Sequence, residues 1–288
     1  MSTPPKDAPR AAIIIAAYNR RDDLAACLAS LPWDSLCAQH IEVLVVDDGS
    51  TDGTADMVLE RFPCVRLLRN DANTGASHAR NQGAAATQTP LLVYIDSDVE
   101  VDKAWLPALI AADDGQTVLG GRILDYHDGH DQGGPRRATF LGKSLRSHPA
   151  RANVAASCNL AAPRAAWEAI GGFDEDLPYY FEDRDFCIRA RKAGYAFRYV
   201  PEAVLRHKGS DVRVGDAVRL QERHSVYAML KAYRGRPLAL AAFTLGTGAW
   251  LAARLMAWAA RFRFTDCRRL LTGWYEAYRR FLTRREHW

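Results

Sequence analysis

Ile41-Glu42-Val43-Leu44-Val45-Val46-Asp47-Asp48-Gly49-Ser50 is a short, β-branched and apolar run that ends in two carboxylates and a glycine turn. The same form recurs at Leu91-Leu92-Val93-Tyr94-Ile95-Asp96-Ser97-Asp98. Such runs read as buried strands of a parallel sheet. The carboxylates then fall where each strand opens into a loop, the edge at which open α/β sheets bind ligands. An Asp-x-Asp pair at that edge can hold a divalent cation against phosphate oxygens.

Outward from these two runs the pattern alternates. Ala11 to Ala17, centred on Ile13, Ile14 and Ile15, reads as a further buried strand, and Leu24, Cys27, Leu28 and Leu31 lie at helical spacing until Pro32. Thr54 to Phe62 predicts a helix, Val65 to Leu68 a strand, Asn70 to Gly75 a polar turn, and Ala76 to Thr87 a helix. After the strand Leu91 to Ile95 come a helix over Lys103 to Ala112 and a strand over Thr117 to Ile123. Alternation of this kind means βαβ units with right-handed crossovers. Asp125 to Ala150 shows no sustained period and is expected to be a loop that orders only with substrate, a candidate lid. Helices over Pro163 to Ile170 and Glu182 to Ala193, and short strands at Phe197 to Val200 and Val204 to His207, complete the body.

Composition sets the limits. With 48% hydrophobic and 25% charged residues, 288 residues can bury a full core. Met1 to Arg10 carries Pro and charge without an apolar stretch, so it is expected to be disordered and not a secretory leader. Six cysteines without Cys-x-x-Cys spacing argue against a zinc site or a disulfide scaffold and are expected to be reduced, mostly buried thiols. Charge is divided unevenly: residues 206–288 hold 17 Lys and Arg against 6 Asp and Glu, whereas residues 1–205 hold 21 against 28. A basic tail fits an anionic surface. Pro237 to Ala253 has no charge and Arg254 interrupts it, while Trp250, Trp258, Trp274, Tyr275 and Tyr278 alternate with Arg213, Arg219, Arg223, Arg261, Arg263, Arg268 and Arg269. That mixture suits a helical hairpin or an interfacial helix on a membrane and speaks against nucleic acid.

The first strand-to-helix turn, Ala16-Ala17-Tyr18-Asn19-Arg20-Arg21, has no glycine, which excludes a dinucleotide-binding Gly-x-Gly-x-x-Gly and a Walker loop. Other residues have physical reasons to bind a nucleotide. Asp48 can accept hydrogen bonds from a base or a ribose, or else cap its own loop beside Gly49. Gly75 opens a turn whose backbone N–H groups can face an anion, and Arg80 on the following helix can bridge a base or a diphosphate. Tyr18 can pack along the base or simply edge the core.

Ala16-Ala17-Tyr18-Asn19, the Asp47-Asp48-Gly49-Ser50-Thr51-Asp52-Gly53-Thr54 run, Asn73-Thr74-Gly75-Ala76-Ser77-His78-Ala79-Arg80-Asn81 and Ile95-Asp96-Ser97-Asp98, in that order, resemble the family 2 glycosyltransferases over roughly residues 11–210. Asn159-Leu160-Ala161, Gly171-Gly172-Phe173-Asp174 and Phe181-Glu182-Asp183-Arg184-Asp185 resemble its rhamnosyltransferase-like branch. The resemblance implies an α/β GT-A fold with a mostly parallel central sheet, a nucleotide-sugar half over 11–123, an acceptor half over 151–210 and a helical C-terminal region over 211–288. It implies a nucleotide-diphosphate sugar as donor, bound by Ala16, Tyr18, Asp48, Gly75, Arg80 and Asp96. It also implies a manganese or magnesium ion held by Asp98 with Asp96 and His207, and Asp183 as the base of an inverting transfer. Glu182 and Asp185 are competing carboxylates and, with Asn159, the implied acceptor contacts.

The expected activity is sugar transfer to a hydroxyl of a glycan or lipid-linked glycan, in the cytoplasm at the inner membrane face, with the tail as a peripheral membrane contact. A sugar nucleotidyltransferase is the second reading, disfavoured because the first turn lacks a glycine-rich loop. The third is a non-catalytic membrane protein of the same fold, against which Asp96, Asp98 and Asp183 stand intact.

Overall fold

The computed structural model describes residues 9–209 and 216–283. Most of the N-terminal segment expected to be disordered, and Arg213 of the basic tail, lie outside the described residues. Strand β1 (Ala11–Ala17) is followed by α1 (Arg21–Ser30), α2 (Trp33–Ala38), β2 (Ile41–Asp47), α3 (Thr54–Arg61), β3 (Arg66–Arg69), α4 (Ala76–Ala85) and β4 (Leu91–Asp96). Then come β5 (Val99–Val101), α5 (Trp105–Ala112), β6 (Thr117–Asp125), β7 (Arg136–Ala138), β8 (Ser144–Arg146), β9 (Asn159–Pro163), α6 (Arg164–Ile170), α7 (Glu182–Lys192) and β10 (Ala196–His207). Helices α8 (Ala217–Tyr233), α9 (Pro237–Ala259) and α10 (Phe264–Thr283) close the chain.

Eight strands form one sheet in the order β3-β2-β1-β4-β9-β6-β10-β5. β1 lies between β2 and β4, parallel to both, and is buried on both faces, which is why its sequence is apolar without alternation. Ile13 and Ile15 point into a core with Leu24, Leu28, Val45, Val93 and Trp105. Ile14 points to the opposite face, into a second core with Leu44, Tyr94, Phe173 and Phe186. The side-chain alternation of a strand thus feeds two separate layers.

The sheet is mixed rather than parallel throughout. β9 runs antiparallel between β4 and β6, and β5 is antiparallel to β10. The helix expected from Pro163 starts at Arg164, because Pro163 ends β9 opposite Leu91. The strands expected at 197–200 and 204–207 are one strand, interrupted by a register shift between Val200 and Val204.

Asp125 to Ala150 is not a structureless loop. It holds the β7–β8 hairpin and a 3₁₀ turn at Pro149–Arg151. The hairpin tip is fastened to the C-terminal helices: the Phe140 ring lies 4.8 Å from Tyr233 and 6.2 Å from Phe243, and Lys143 sits 3.8 Å above Trp250. Aromatic packing of this kind orders a segment that has no period of its own. Of the cysteines, Cys27, Cys158 and Cys187 are buried, whereas Cys37 and Cys64 are exposed, and all six are free thiols.

Candidate active site

In the parallel register Ala17 pairs with Asp47 and Ala16 with Asp96, so β1, β2 and β4 open at one edge of the sheet. Asp98 follows in the tight turn that leads into β5. Because β5 pairs antiparallel with the end of β10, His207 lies opposite Val99, and its Nε2 comes to 3.3 Å from Asp98 Oδ1. The Lys208 N–H donates to the Asp98 carbonyl at 3.0 Å and closes the arrangement. Ligand atoms of Asp96, Asp98 and His207 lie within 4.8 Å of one another. Two carboxylates and an imidazole on short, hydrogen-bonded tethers fit a hard or borderline divalent ion.

Burial disfavours the charged form of both Asp98 and His207, yet their mutual hydrogen bond and opposite charge outweigh it. The Asp98 carboxyl is therefore held below its ordinary pKa and the His207 imidazole above its own.

The second half of the site is built at the start of α7. Arg80, 4% exposed, donates from Nη2 to Asp96 Oδ1 at 2.7 Å and from Nη1 to Glu182 Oε1 at 3.3 Å. Ser157 Oγ donates to the same Glu182 oxygen at 3.3 Å. Burial, then the charge of Asp183, raise the Glu182 carboxyl to about 7 against the pull of Arg80. Asp183 is half-buried and accepts the Arg184 N–H at 2.6 Å. Its pKa too is raised by burial, with Arg184 opposing. Asp183 and His207 both line a cavity of about 300 Å³, with Gly121, Arg136, Arg184 and Tyr199 among its other walls. That is room for a small polar group between a cation site and a carboxylate of raised basicity.

Several residues expected to touch a ligand also carry hydrogen bonds within the fold. Asp48 accepts from Asn70 Nδ2, Thr74 N, Thr74 Oγ1 and Gly75 N at 2.8, 3.0, 2.6 and 2.8 Å, so it braces the 70–75 turn. The same bonds take up the Gly75 N–H that was expected to face an anion. Arg80 clamps two carboxylates, Asp96 and Glu182. Asn159, fully buried, accepts from Trp105 Nε1 at 2.9 Å and donates to the carbonyls of Arg122 and Ala203, both at 3.0 Å. It ties the strands together. Asp185 accepts from Arg189 Nε at 2.6 Å and lies 3.4 Å from Lys231 Nζ, which joins α7 to α8. Ala16 and Tyr18 remain at the open edge, Ala16 partly and Tyr18 45% exposed. Arg136, Arg184 and Tyr199 were missed as cavity residues, because only the packing of distant segments brings them together.

Gly75 has a different necessity. Its φ is +100°, and a Cβ there would lie 2.6 Å from Pro178 Cβ. Gly75→Ala is expected to cost about 1–3 kcal/mol, read as a lower midpoint in urea; an unchanged midpoint would show that the turn can shift at no cost.

A model described as glycosyl transferase family 2 matches residues 12–176, and one described as glycosyl transferase family group 2 matches residues 143–279. The N-acetylglucosaminyl-diphospho-decaprenol L-rhamnosyltransferase of Mycobacterium tuberculosis is 30% identical over 258 residues, which is 76% of this chain and 83% of that protein. The glycosyltransferase AglE of Haloferax volcanii is 26% identical over 204 residues, 69% of this chain and 67% of that protein. The chain spans 42% of the length of a pre-mycofactocin glycosyltransferase of Mycobacterium tuberculosis and 19% of that of the human polypeptide N-acetylgalactosaminyltransferase 16. Among solved structures, a mannosyltransferase from Pyrobaculum calidifontis superposes with a TM-score of 0.59 at 20% identity, over 97% of this chain and 88% of that one. The sheet with its crossing helices is thus a GT-A-like fold, and the matched span covers more than half of the sequence. The chain belongs to glycosyl transferase family 2 and is a glycosyltransferase.

Proposed function

We propose that this chain is an inverting, metal-dependent transferase that moves a sugar from a nucleotide-diphosphate donor to a hydroxyl of a glycan or lipid-linked glycan. We place it in the cytoplasm, working at the inner face of the membrane. The observation that carries this reading is the shared cavity of His207, beside Asp98, and Asp183. The Pyrobaculum calidifontis mannosyltransferase was solved with GDP-Man and Mn2+, and the rhamnosyltransferase relative is named for a lipid diphosphate acceptor, which supports the reading in kind.

Asp98, Asp96 and His207 would hold the cation. When bound, it supplies Lewis-acid neutralisation of the leaving diphosphate. Arg80 keeps Asp96 aimed at that edge through the 2.7 Å bond. Asp183 accepts the acceptor hydroxyl proton as that oxygen forms its bond to the anomeric carbon. The bond from that carbon to the diphosphate breaks, and its electron pair leaves with the nucleotide. One displacement inverts the anomeric configuration. Burial favours the base, since a carboxylate of raised pKa takes a proton more readily. Tyr18, exposed at the open edge, would pack along the nucleotide base.

Calorimetric titration of UDP, TDP and GDP, with and without manganese, tests the donor site. The expected result is binding of one nucleotide that needs the metal and is lost in Asp98→Ala. Binding that is indifferent both to manganese and to this substitution would remove the metal from the proposal.

A further inference from the structure

We infer that the outer face of α9, with the elbow at 260–263 that leads into α10, is a docking surface for anionic lipid headgroups, lying in the interface and not crossing it. This deepens the lipid-linked reading of the acceptor, and rests on it for its purpose, though the surface is argued from its own residues.

α9 is 23 residues long and apolar enough to cross a membrane, yet only 17% of its apolar window is buried. One side is sealed to the body: Phe243, Thr247, Leu251 and Trp258 are buried, at the three- and four-residue spacing of one helical face. The single charge of the helix, Arg254, is drawn to that inner side. Its guanidinium lies 3.5 Å from Glu222 and 4.5 and 4.3 Å from the Trp250 and Trp258 rings. The outward positions are left with no charge at all. Leu238, Leu245 and Met256 are largely exposed among alanines, Leu245 by 75%. A continuous uncharged strip along a helix of about 35 Å is larger than the scattered apolar residues of an ordinary surface.

At the elbow, Phe262 is 83% exposed and has a left-handed φ of +57°. It pairs edge-on with the exposed Phe264 at 6.2 Å. Arg261 and Arg263 flank Phe262, with Arg268 exposed on the next turn, and Arg234 and Arg236 stand at the other end of α9. Arg236 at the N-terminus of α9 opposes the helix dipole, so its placement does not stabilise α9, whereas Arg234 also donates to the Phe281 carbonyl of α10 at 3.2 Å.

The occupant follows from these charges. A second copy laid on this face, parallel or antiparallel, would bring basic ends against basic ends. Anionic headgroups complement both ends while the strip and the two phenylalanines enter the acyl boundary. A spanning arrangement would drag Glu222 and the charged faces of α8 and α10 into hydrocarbon with α9, at several kcal/mol for each charge. The inner side of α9 also holds the β7–β8 tip through Phe140 and Lys143, and the strands of that hairpin supply Arg136 and Ser144 to the active-site cavity. A docked α9 therefore sets the cavity wall at a fixed place relative to the membrane.

The test is flotation of the full chain with vesicles of phosphatidylcholine alone and of phosphatidylcholine with phosphatidylglycerol. Binding is expected only to the anionic vesicles and is expected to weaken in high salt. Leu245→Glu with Met256→Glu, and separately Arg261→Ser with Arg268→Ser, should each weaken it by about tenfold or more. Circular dichroism and the nucleotide titration on the same samples should stay unchanged. Equal binding to neutral vesicles that survives alkaline carbonate would overturn the interfacial reading in favour of a spanning helix. A dimer broken by Leu245→Glu, with no vesicle binding, would assign the face to a second copy. Failed vesicle binding with intact nucleotide binding would reject the surface alone and leave the transferase reading standing.

Discussion

Asp183→Asn is expected to lower kcat by about 10²–10⁴ while nucleotide binding stays unchanged. The substitution keeps the shape of the side chain but removes its capacity to take a proton at the cavity wall it shares with His207. Single-turnover kinetics on a saturated donor complex would read the loss directly. Turnover close to wild type would mean that another group takes the proton. Glu182 stands next to it, and Asp185 is tied to Arg189 and Lys231.

The two adjacent carboxyls make a further prediction about pH. Both are raised above ordinary values, Glu182 to about 7, and so close together they titrate as a pair. The base must be ionised to act, so kcat/KM should fall on acidification above the ordinary aspartate range of about 4. Glu182→Gln removes a neighbouring negative charge, so the acidic limb should move to lower pH; a limb that does not move would separate the pair. For stability the sign is opposite. A carboxyl whose folded pKa is raised binds more protons folded than unfolded. Its stabilisation is complete below the unfolded value and is lost as pH rises through about 7, the folded value of Glu182.

Arg80→Met is the change expected to cost most in stability. The guanidinium is the cation between Asp96 and Glu182, and removing one partner from a buried ionic cluster typically costs about 3–5 kcal/mol. Asp96 is 31% exposed on its side chain and can hydrate, so the loss should come mainly from Glu182, whose side chain is 11% exposed. A value near the lower end is therefore expected, with Tm falling about 2–4 °C per kcal/mol. The loss should shrink at low pH, where the stranded carboxyls are protonated. A loss below about 1 kcal/mol would show that the cluster behaves like a surface pair.

Much of this was legible before the structure. The βαβ order from β1 to β4 follows from apolar runs interrupted at strand and helix spacing, since burial on both faces writes itself into consecutive side chains. The Asp96-Ser97-Asp98 turn was legible for the same reason, because carboxylates that end such a run have no core to enter. β9 was not, since Asn159-Leu160-Ala161-Ala162-Pro163 has little β-propensity and becomes a strand only between β4 and β6. The β7–β8 hairpin was missed in the same way: its order comes from Phe140 and Lys143 meeting aromatic rings about a hundred residues later.

The roles of polar side chains divide along the same line. Sequence by itself determined the fold family, the strand-end carboxylates Asp96 and Asp98, the acidic start of α7 and the charge division between body and tail, because these are properties of neighbouring residues. Only the tertiary structure decided that Asp48 braces a turn, that Arg80 clamps Asp96 to Glu182, that Asn159 ties strands together, and that His207 reaches Asp98. A hydrogen bond is settled by which donor lies within about 3 Å of which acceptor. For residues 16 to 109 positions apart that is fixed by packing, not by the order of the chain.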